Sequence, residues 1–208
     1  MGKKFGICCI ALGICCLLGA VGFLVYNKWE AANARDASQD LLQDLRADVS
    51  EPTQTQAPDR EHDRVEATES PVVFPEEMPT TQVDGYDCIG ILSIPVLELE
   101  LPVLEDWSYE KLKVAPCHYF GTCYGTDFVI AAHNYPTHFG RLSQLQPGDL
   151  ILFTDVAGNV FGYEVVLLET LPGNATKEMI TSGFDLSLYT CTPGGASRVT
   201  VRCKAVGK

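Results

Sequence analysis

A cysteine and an arginine flank one short loop near the end of this 208-residue chain, in the stretch Leu186-Ser187-Leu188-Tyr189-Thr190-Cys191-Thr192-Pro193-Gly194-Gly195-Ala196-Ser197-Arg198-Val199-Thr200-Val201-Arg202-Cys203. Alternating apolar and β-branched residues on either side of a Pro-Gly-Gly turn signal predict two strands joined as a hairpin. The hairpin sets a thiol at the end of one strand and a guanidinium at the start of the next. A thiol nucleophile needs positive charge nearby to hold its thiolate, and an acyl-transfer transition state needs a donor for its oxyanion. One hairpin supplies both. Period-two alternation sends Leu186, Leu188 and Thr190 to one face and Ser187, Tyr189 and Cys191 to the other. The leucine face reads as core, which leaves Cys191 accessible. Arg198, Thr200 and Arg202 share a face, so Arg202 is a rival guanidinium. Arg198 is nearer to Cys191 across the hairpin and is the chosen one. Cys203 falls with Val199 and Val201 and reads as a buried, apolar-like thiol.

The thiol needs a base, and the chain has four histidines: His62, His118, His133 and His138. His62 lies in a charged, Pro-containing tract and reads as exposed linker. His133 ends the apolar run Phe128-Val129-Ile130-Ala131-Ala132, a short buried strand by its pattern. A residue just past such a strand sits at a scaffold edge, where catalytic groups are commonly placed. His118 and His138 lie in looser aromatic stretches, Cys117-His118-Tyr119-Phe120 and Thr137-His138-Phe139-Gly140. For any one of these the plainer reading is a hydrogen-bonded structural residue. Pairing with a strand-end cysteine singles out His133, with His118 second.

Ser187-Leu188-Tyr189-Thr190-Cys191, followed by an arginine on the next strand, resembles the signature T-L-x-T-C of the sortase family. Val129-Ile130-Ala131-Ala132-His133-Asn134 is similar to that family's strand-end histidine. Ile89-Gly90-Ile91-Leu92-Ser93-Ile94-Pro95 and Leu101-Pro102-Val103-Leu104 resemble its first strands, and His118-Tyr119 and Gly148-Asp149 fall where sortases carry similar pairs. The resemblance covers roughly residues 85–206. Ser187 stands where threonine is usual, Ala132 where glycine is common, and the Cys191–Arg198 loop is short for the family, so the arginine's register is the transfer most open to revision.

The resemblance implies a closed β-barrel of about eight strands, of class B- or D-like kind, and a cysteine transpeptidase. Cys191, His133 and Arg198 would be catalytic, with Tyr189 and Thr190 at the substrate. The implied partners are secreted proteins bearing a C-terminal sorting signal such as L-P-x-T-G, and an amine of a peptidoglycan precursor or of a pilin. The Asp-Pro-aromatic lid typical of pilin-polymerising sortases and a second, C-terminal membrane helix are not found in the sequence, which leans toward attachment to cell wall. Two other classes compete: a non-catalytic surface β-module with Cys191 as a core or disulfide cysteine, and another cell-wall cysteine enzyme. An L,D-transpeptidase would carry Ser/Thr-His-Gly-Cys, and a papain-like peptidase would place its cysteine well before its histidine. Here His133 precedes Cys191 and that motif is absent.

The elements that must position these groups follow an N-terminal anchor. Phe5 to Tyr26 carries no charge and is long enough to cross a bilayer of ~30 Å. Lys3 and Lys4 precede it and an acidic region follows, which places residues 1–4 in the cytoplasm, a transmembrane helix at 5–26 and the bulk of the chain outside. No small-x-small cleavage site follows the run. Cys8, Cys9, Cys15 and Cys16 inside it read as lipid-facing, and Gly6 occupies the position where a myristoylation signal needs Ser or Thr. Residues 27–84 read as an acidic stalk, with thirteen acidic side chains against four basic ones over residues 31–84. Its first part, Lys28 to about Val49, has spaced Ala and Leu residues and reads as helix. Ser50 to Asp84 reads as an extended spacer rich in Pro, Thr, Gln and Glu.

The catalytic domain is then residues 85–208, mainly β, with strands expected at Cys88–Pro95, Leu97–Glu105, Phe128–Ala132, Leu150–Thr154, Phe161–Leu171, Leu186–Cys191 and Val199–Val206. A short helix is expected over Trp107–Val114, and substrate-reading loops between Leu167 and Asp185. Short strands with little helix indicate a barrel or sandwich. The net charge of −12 and the lack of a basic patch disfavour nucleic acid. Five cysteines lie beyond the anchor, so at least one thiol stays free if the others pair. Cys117 and Cys123 could bridge a small loop, or with His118 offer soft ligands. Their spacing matches no strong zinc pattern, and no metal or cofactor is expected.

Overall fold

Past residue 80 the chain is a succession of apolar and β-branched stretches cut by Gly, Pro and Asp turns. The computed structural model describes residues 2–50 and 77–207. The expected spacer, with His62, lies outside the described residues apart from its ends. Nine strands form among the described residues: β1 (Thr81–Val83), β2 (Tyr86–Ile94), β3 (Leu99–Leu104), β4 (Cys117–Phe120), β5 (Phe128–Ala131), β6 (Leu150–Asp155), β7 (Val160–Pro172), β8 (Leu186–Cys191) and β9 (Ser197–Val206). Their order is β1-β2-β3-β4-β5-β8-β9-β7-β6, and β2 also pairs with β6. The sheet therefore closes as an eight-stranded barrel, with β1 a short addition on β2. At the closing seam Gly90 faces Asp155. A side chain there would meet the Phe153 ring at 2.8 Å, so the two backbones approach this closely only because the residue is glycine.

The seven strands expected from the sequence are β2, β3, β5, β6, β7, β8 and β9. β1 was not expected, although its signal is local: Asp84 and Gly85 both take positive φ, 48° and 81°, in the two-residue hairpin turn that joins Val83 to Tyr86. β4 is held by a single parallel pair, Leu104 with Cys117, and by an irregular register to β5, so its residues do not alternate cleanly. The helix expected over Trp107–Val114 is reduced to one 3-10 turn, Lys111–Lys113. Ser108 Oγ accepts the Lys111 backbone N–H at 3.1 Å, and Asp106 pairs with the Lys111 ammonium. Both contacts hold the first residue of that turn, and Trp107 and Tyr109 stay outside it.

The leucine face of β8 packs inward as the alternation requires. Leu186 and Leu188 join Ile89, Leu101, Phe128, Ile130 and Phe153 in the barrel core, and Cys203 lies with them. One helix, α1 (Gly2–Ser50), precedes the barrel. It contains a window long and apolar enough to cross a membrane, by length and composition, within Leu12–Val49. Its first part exposes Leu17, Leu18, Val21 and Leu24, whereas its last turns bury Ala34, Ser38, Leu41, Leu42 and Leu45. Those residues recur every three or four positions and form one stripe. The stripe packs on Val83, Ile91, Leu104, Ala115 and Cys117, and Arg46 pairs with Glu100 beside it. The segment read from sequence as a stalk helix is thus docked along the barrel wall.

His138 lies under this seam, fully buried. Burial outweighs a backbone contact with Ala34 and holds its imidazole down at about 4. The unfolded chain binds that proton near 6.5 and the folded chain only near 4, so between these values the unfolded state holds more protons. Stability should therefore be lost as pH falls from about 6.5 toward 4. Chemical denaturation followed by tryptophan fluorescence should show this slope, and His138→Phe should flatten it. An unchanged slope in the variant would place the acid sensitivity elsewhere.

Candidate active site

The site is built on β8 and its two neighbours. β5 runs parallel to β8 with Phe128 opposite Leu186 and Ala131 opposite Tyr189. Carried two residues further, the same register sets His133 beside Cys191. Two bonds extend the ladder past the end of β5: the Ala132 N–H donates to the Tyr189 carbonyl at 3.2 Å, and Thr190 Oγ1 donates to the Ala132 carbonyl at 2.8 Å. On its other edge β8 is antiparallel to β9, with Cys191 opposite Arg198. His133, Cys191 and Arg198 therefore form a row across three adjacent strands, and all three line one groove of about 140 Å³.

The loop between β8 and β9 explains the arginine's position. Pro193 precedes Gly194, whose φ is 85°, and the Gly195 N–H donates to the Thr192 carbonyl at 2.8 Å, which is the pattern of a type II turn. Arg198 Nη1 donates to the carbonyls of Gly195 and Ser197 at 2.9 and 3.1 Å, so the loop's own backbone steadies the guanidinium. Burial holds His133 below the ordinary imidazole value; the Glu30 carboxylate opposes this and Lys113 adds to it. The His133 ring lies 5.0 Å from that of Tyr135.

Among the thiols of the barrel, Cys191 alone escapes full burial. Burial pushes Cys88 up to about 11 and Cys117, Cys123 and Cys203 up to about 12. Cys117 and Cys123 are both free thiols, and they belong to different apolar clusters, one under α1 and one inside the barrel. No group of three or more metal-ligating side chains occurs among the described residues.

The other candidates fall into distinct places. Tyr189 lines the groove, and burial, with Tyr119 beside it, favours its neutral phenol. Thr190 is buried on the opposite face, its hydroxyl committed to Ala132, so it is not brought into the groove. His118 hydrogen-bonds the carbonyls of Glu105 and Gly121 at 3.0 and 2.7 Å and does not line the groove. The rival Arg202 does share the face of Arg198, as alternation requires, but it is buried. It pairs with Glu169 at 2.7 Å, donates to Ser187 Oγ at 2.8 Å, and reaches the carbonyls of Glu178 and Met179 on α2 (Thr176–Ile180). Sequence reading missed the groove walls. Trp107 and Tyr119 stand 5.7 Å apart, with Tyr119 edge-on to Tyr189 at 5.4 Å. Pro172 and Met179 line the groove as well, from the segment where substrate-reading loops were expected.

A family model described as the sortase domain matches residues 92–206. Among solved structures, sortase A from Corynebacterium diphtheriae is 26% identical with a TM-score of 0.54, over 59% of this chain and 62% of that one. Streptococcus pneumoniae sortase C is 27% identical with a TM-score of 0.52, over 58% of this chain and 70% of that one. Sortase C1 from Streptococcus agalactiae, 24% identical with a TM-score of 0.54 over 61% and 72%, shares the fold. The chain thus spans about three-fifths of the diphtherial enzyme's length. No curated protein sequence matches it.

Burial separates the thiols, and reactivity should follow. Iodoacetamide near neutral pH, read by peptide mass spectrometry, should label Cys191 while Cys88, Cys117, Cys123 and Cys203 stay unlabelled until the chain unfolds. Early labelling of Cys117 would mean that the α1 seam is open in solution.

Proposed function

Because this chain belongs to the sortase family, we propose that it is a membrane-anchored cysteine transpeptidase, cleaving a C-terminal sorting signal of the L-P-x-T-G kind and joining the protein to a cell-wall or pilin amine. The observation that carries this reading is the row His133, Cys191 and Arg198 on three adjacent strands, opening on one groove. The Cys191 thiolate attacks the carbonyl carbon of the scissile Thr–Gly-type bond. Arg198 donates to the oxyanion of the tetrahedral intermediate. His133 gives its proton to the departing amine as the C–N bond breaks and the thioester forms. An incoming amine then attacks the thioester, His133 takes its proton, and the C–S bond breaks to regenerate the thiolate. Trp107, Tyr119 and Tyr189 offer apolar surface suited to the leucine and proline of such a signal.

The anchor is α1, with Phe5 to Tyr26 in the bilayer, Lys3 and Lys4 on the cytoplasmic side and the barrel outside. Held at the outer leaflet, the enzyme meets both its protein substrate and a membrane-borne amine at raised effective concentration.

The test is turnover of fluorogenic sorting peptides by the full chain in detergent micelles, with an amine acceptor present. Cys191→Ala and His133→Ala should remove cleavage and transfer, and Arg198→Ala should lower kcat/KM by roughly 10²–10³. No turnover of any peptide by the native chain, with Cys191 unreactive to iodoacetamide, would replace this reading with that of a non-catalytic surface module.

A further inference from the structure

His133 has a second side. Besides the Cys191 groove, the imidazole lines a cleft of about 580 Å³ between α1 and the barrel. Asn27, Lys28 and Glu30 of α1 line it, facing Lys113, His133 and Tyr135. His133 and Tyr109 are common to both openings. The imidazole thus stands at the boundary between a groove that ends at the thiol and a cleft that ends at α1.

We propose that this cleft is the acceptor site, in which the Glu30 carboxylate holds the primary ammonium of a short, membrane-borne peptide amine beside His133. The inference rests on the transpeptidase reading above. Thioester aminolysis needs a second substrate that enters while the acyl group still occupies the Cys191 groove, and it must deliver a proton to His133. The cleft meets both conditions, because it reaches the imidazole through an opening that Cys191 does not line. Glu30 is the carboxylate among the cleft residues. Its charge is felt at both Tyr135 and His133, which line the cleft with it. A carboxylate in such a place favours an ammonium through a charge-assisted hydrogen bond. Of the two cationic side chains there, Lys113 is paired with Glu110 at 3.3 Å. Lys28 has no ion pair among the described residues and is left to balance an anionic group on the same acceptor.

Position argues for a membrane-borne acceptor. Glu30 is four residues past Tyr26, where the charge-free run ends, or about 6 Å along the helix axis. An amine carried at the bilayer surface reaches the cleft without leaving that surface. The protons balance as follows. The bound ammonium releases one proton to solvent through the open cleft. The free amine forms the N–C bond and passes a second proton to His133, and the C–S bond breaks to return the Cys191 thiolate.

The experiment uses the full chain in micelles, a sorting peptide that it cleaves, and triglycine as the acceptor. The readout is the partition of the thioacyl enzyme between hydrolysis and transfer. Glu30→Gln should raise KM for triglycine about tenfold and shift the partition toward hydrolysis, with Glu30→Asp recovering part of the loss. Equal KM and equal partition in Glu30→Gln would overturn the proposal. A second measurement does not depend on turnover. Ligand-observed NMR on the Cys191→Ala chain should detect triglycine but not N-acetyl-triglycine, and the added Glu30→Gln should remove the signal. If no peptide is cleaved but this Glu30-dependent binding persists, the transpeptidase reading fails and the amine site stands. If binding ignores Glu30 while cleavage proceeds, the amine site fails alone.

Discussion

The register of β8 is the constraint on which the rest depends. One edge of this strand is paired in parallel with β5 and the other antiparallel with β9. A slip of one residue on either side would turn every side chain to the opposite face. Cys191 would then point into the leucine core, or lose His133 or Arg198 from its row. Both registers are held by more than the ladder. Leu186 and Leu188 fix the inward face by burial, and Thr190 ties the end of β5 to β8 from beneath. The thiol thus rides on a strand whose opposite face is buried in the barrel core. Glycine at position 90 serves the same end at a distance, because it lets β2 and β6 close the barrel on which that register is stretched.

Docking of α1 adds a second constraint. A continuous helix of 49 residues, roughly 70 Å long, meets the barrel along its second half and packs tightly on it through its last turns. The stripe from Ala34 to Leu45 buries against β2, β3 and the segment before β4. This sets the barrel at a given height and rotation relative to the apolar half. A free spacer would leave the groove at any angle to a bilayer. A docked helix holds His133 level with residue 30, near the point where the helix would leave the lipid. Tethering and orientation are separate services, and in the proposed arrangement one helix would perform both.

Much of this was legible in local pattern. Period-two alternation placed Leu186 and Leu188 inward, Cys203 in the core, and Arg198 and Arg202 on one face, all as found. The closed barrel of about eight strands followed from the resemblance. What local pattern could not supply was adjacency across long separations: β5 and β8 are neighbours although 54 residues of chain lie between them. The docking of α1 was masked by charge. Asp36, Asp40, Asp44 and Asp48 make the segment look solvated, while Ser38, Leu41, Leu42 and Leu45 on the other face carry the contact. Trp107 to Val114 looked helical because its spacing is permissive, but one serine and one aspartate tie down Lys111, where the only regular turn of this stretch begins. The Asp84-Gly85 hairpin signal was local and available, and it would have extended the first sheet edge back to Thr81.

The two arginines of β9 show how position along one ribbon divides labour between identical side chains. Three pairs stack on the outer face of β8 and β9: Ser187 with Arg202, Tyr189 with Thr200, and Cys191 with Arg198. At the lower end Arg202 is buried, with Glu169 as its counter-charge and α2 carbonyls as its remaining acceptors. A buried guanidinium is tolerated only when its donors are so satisfied. It thereby fastens α2, which carries Met179 and Thr176 to the far wall of the groove. At the upper end Arg198 is half-exposed and tied to loop carbonyls, so it keeps donor capacity for a group that arrives from outside. Between them Tyr189 closes the floor against Tyr119. A buried charge two ladder steps from the thiol thus holds one wall of the groove, and the accessible one directly opposite the thiol is the arginine to which the proposed chemistry falls. Arg202, with each of its nitrogens already engaged, has little left to offer a group entering the groove, whereas Arg198 keeps donor capacity.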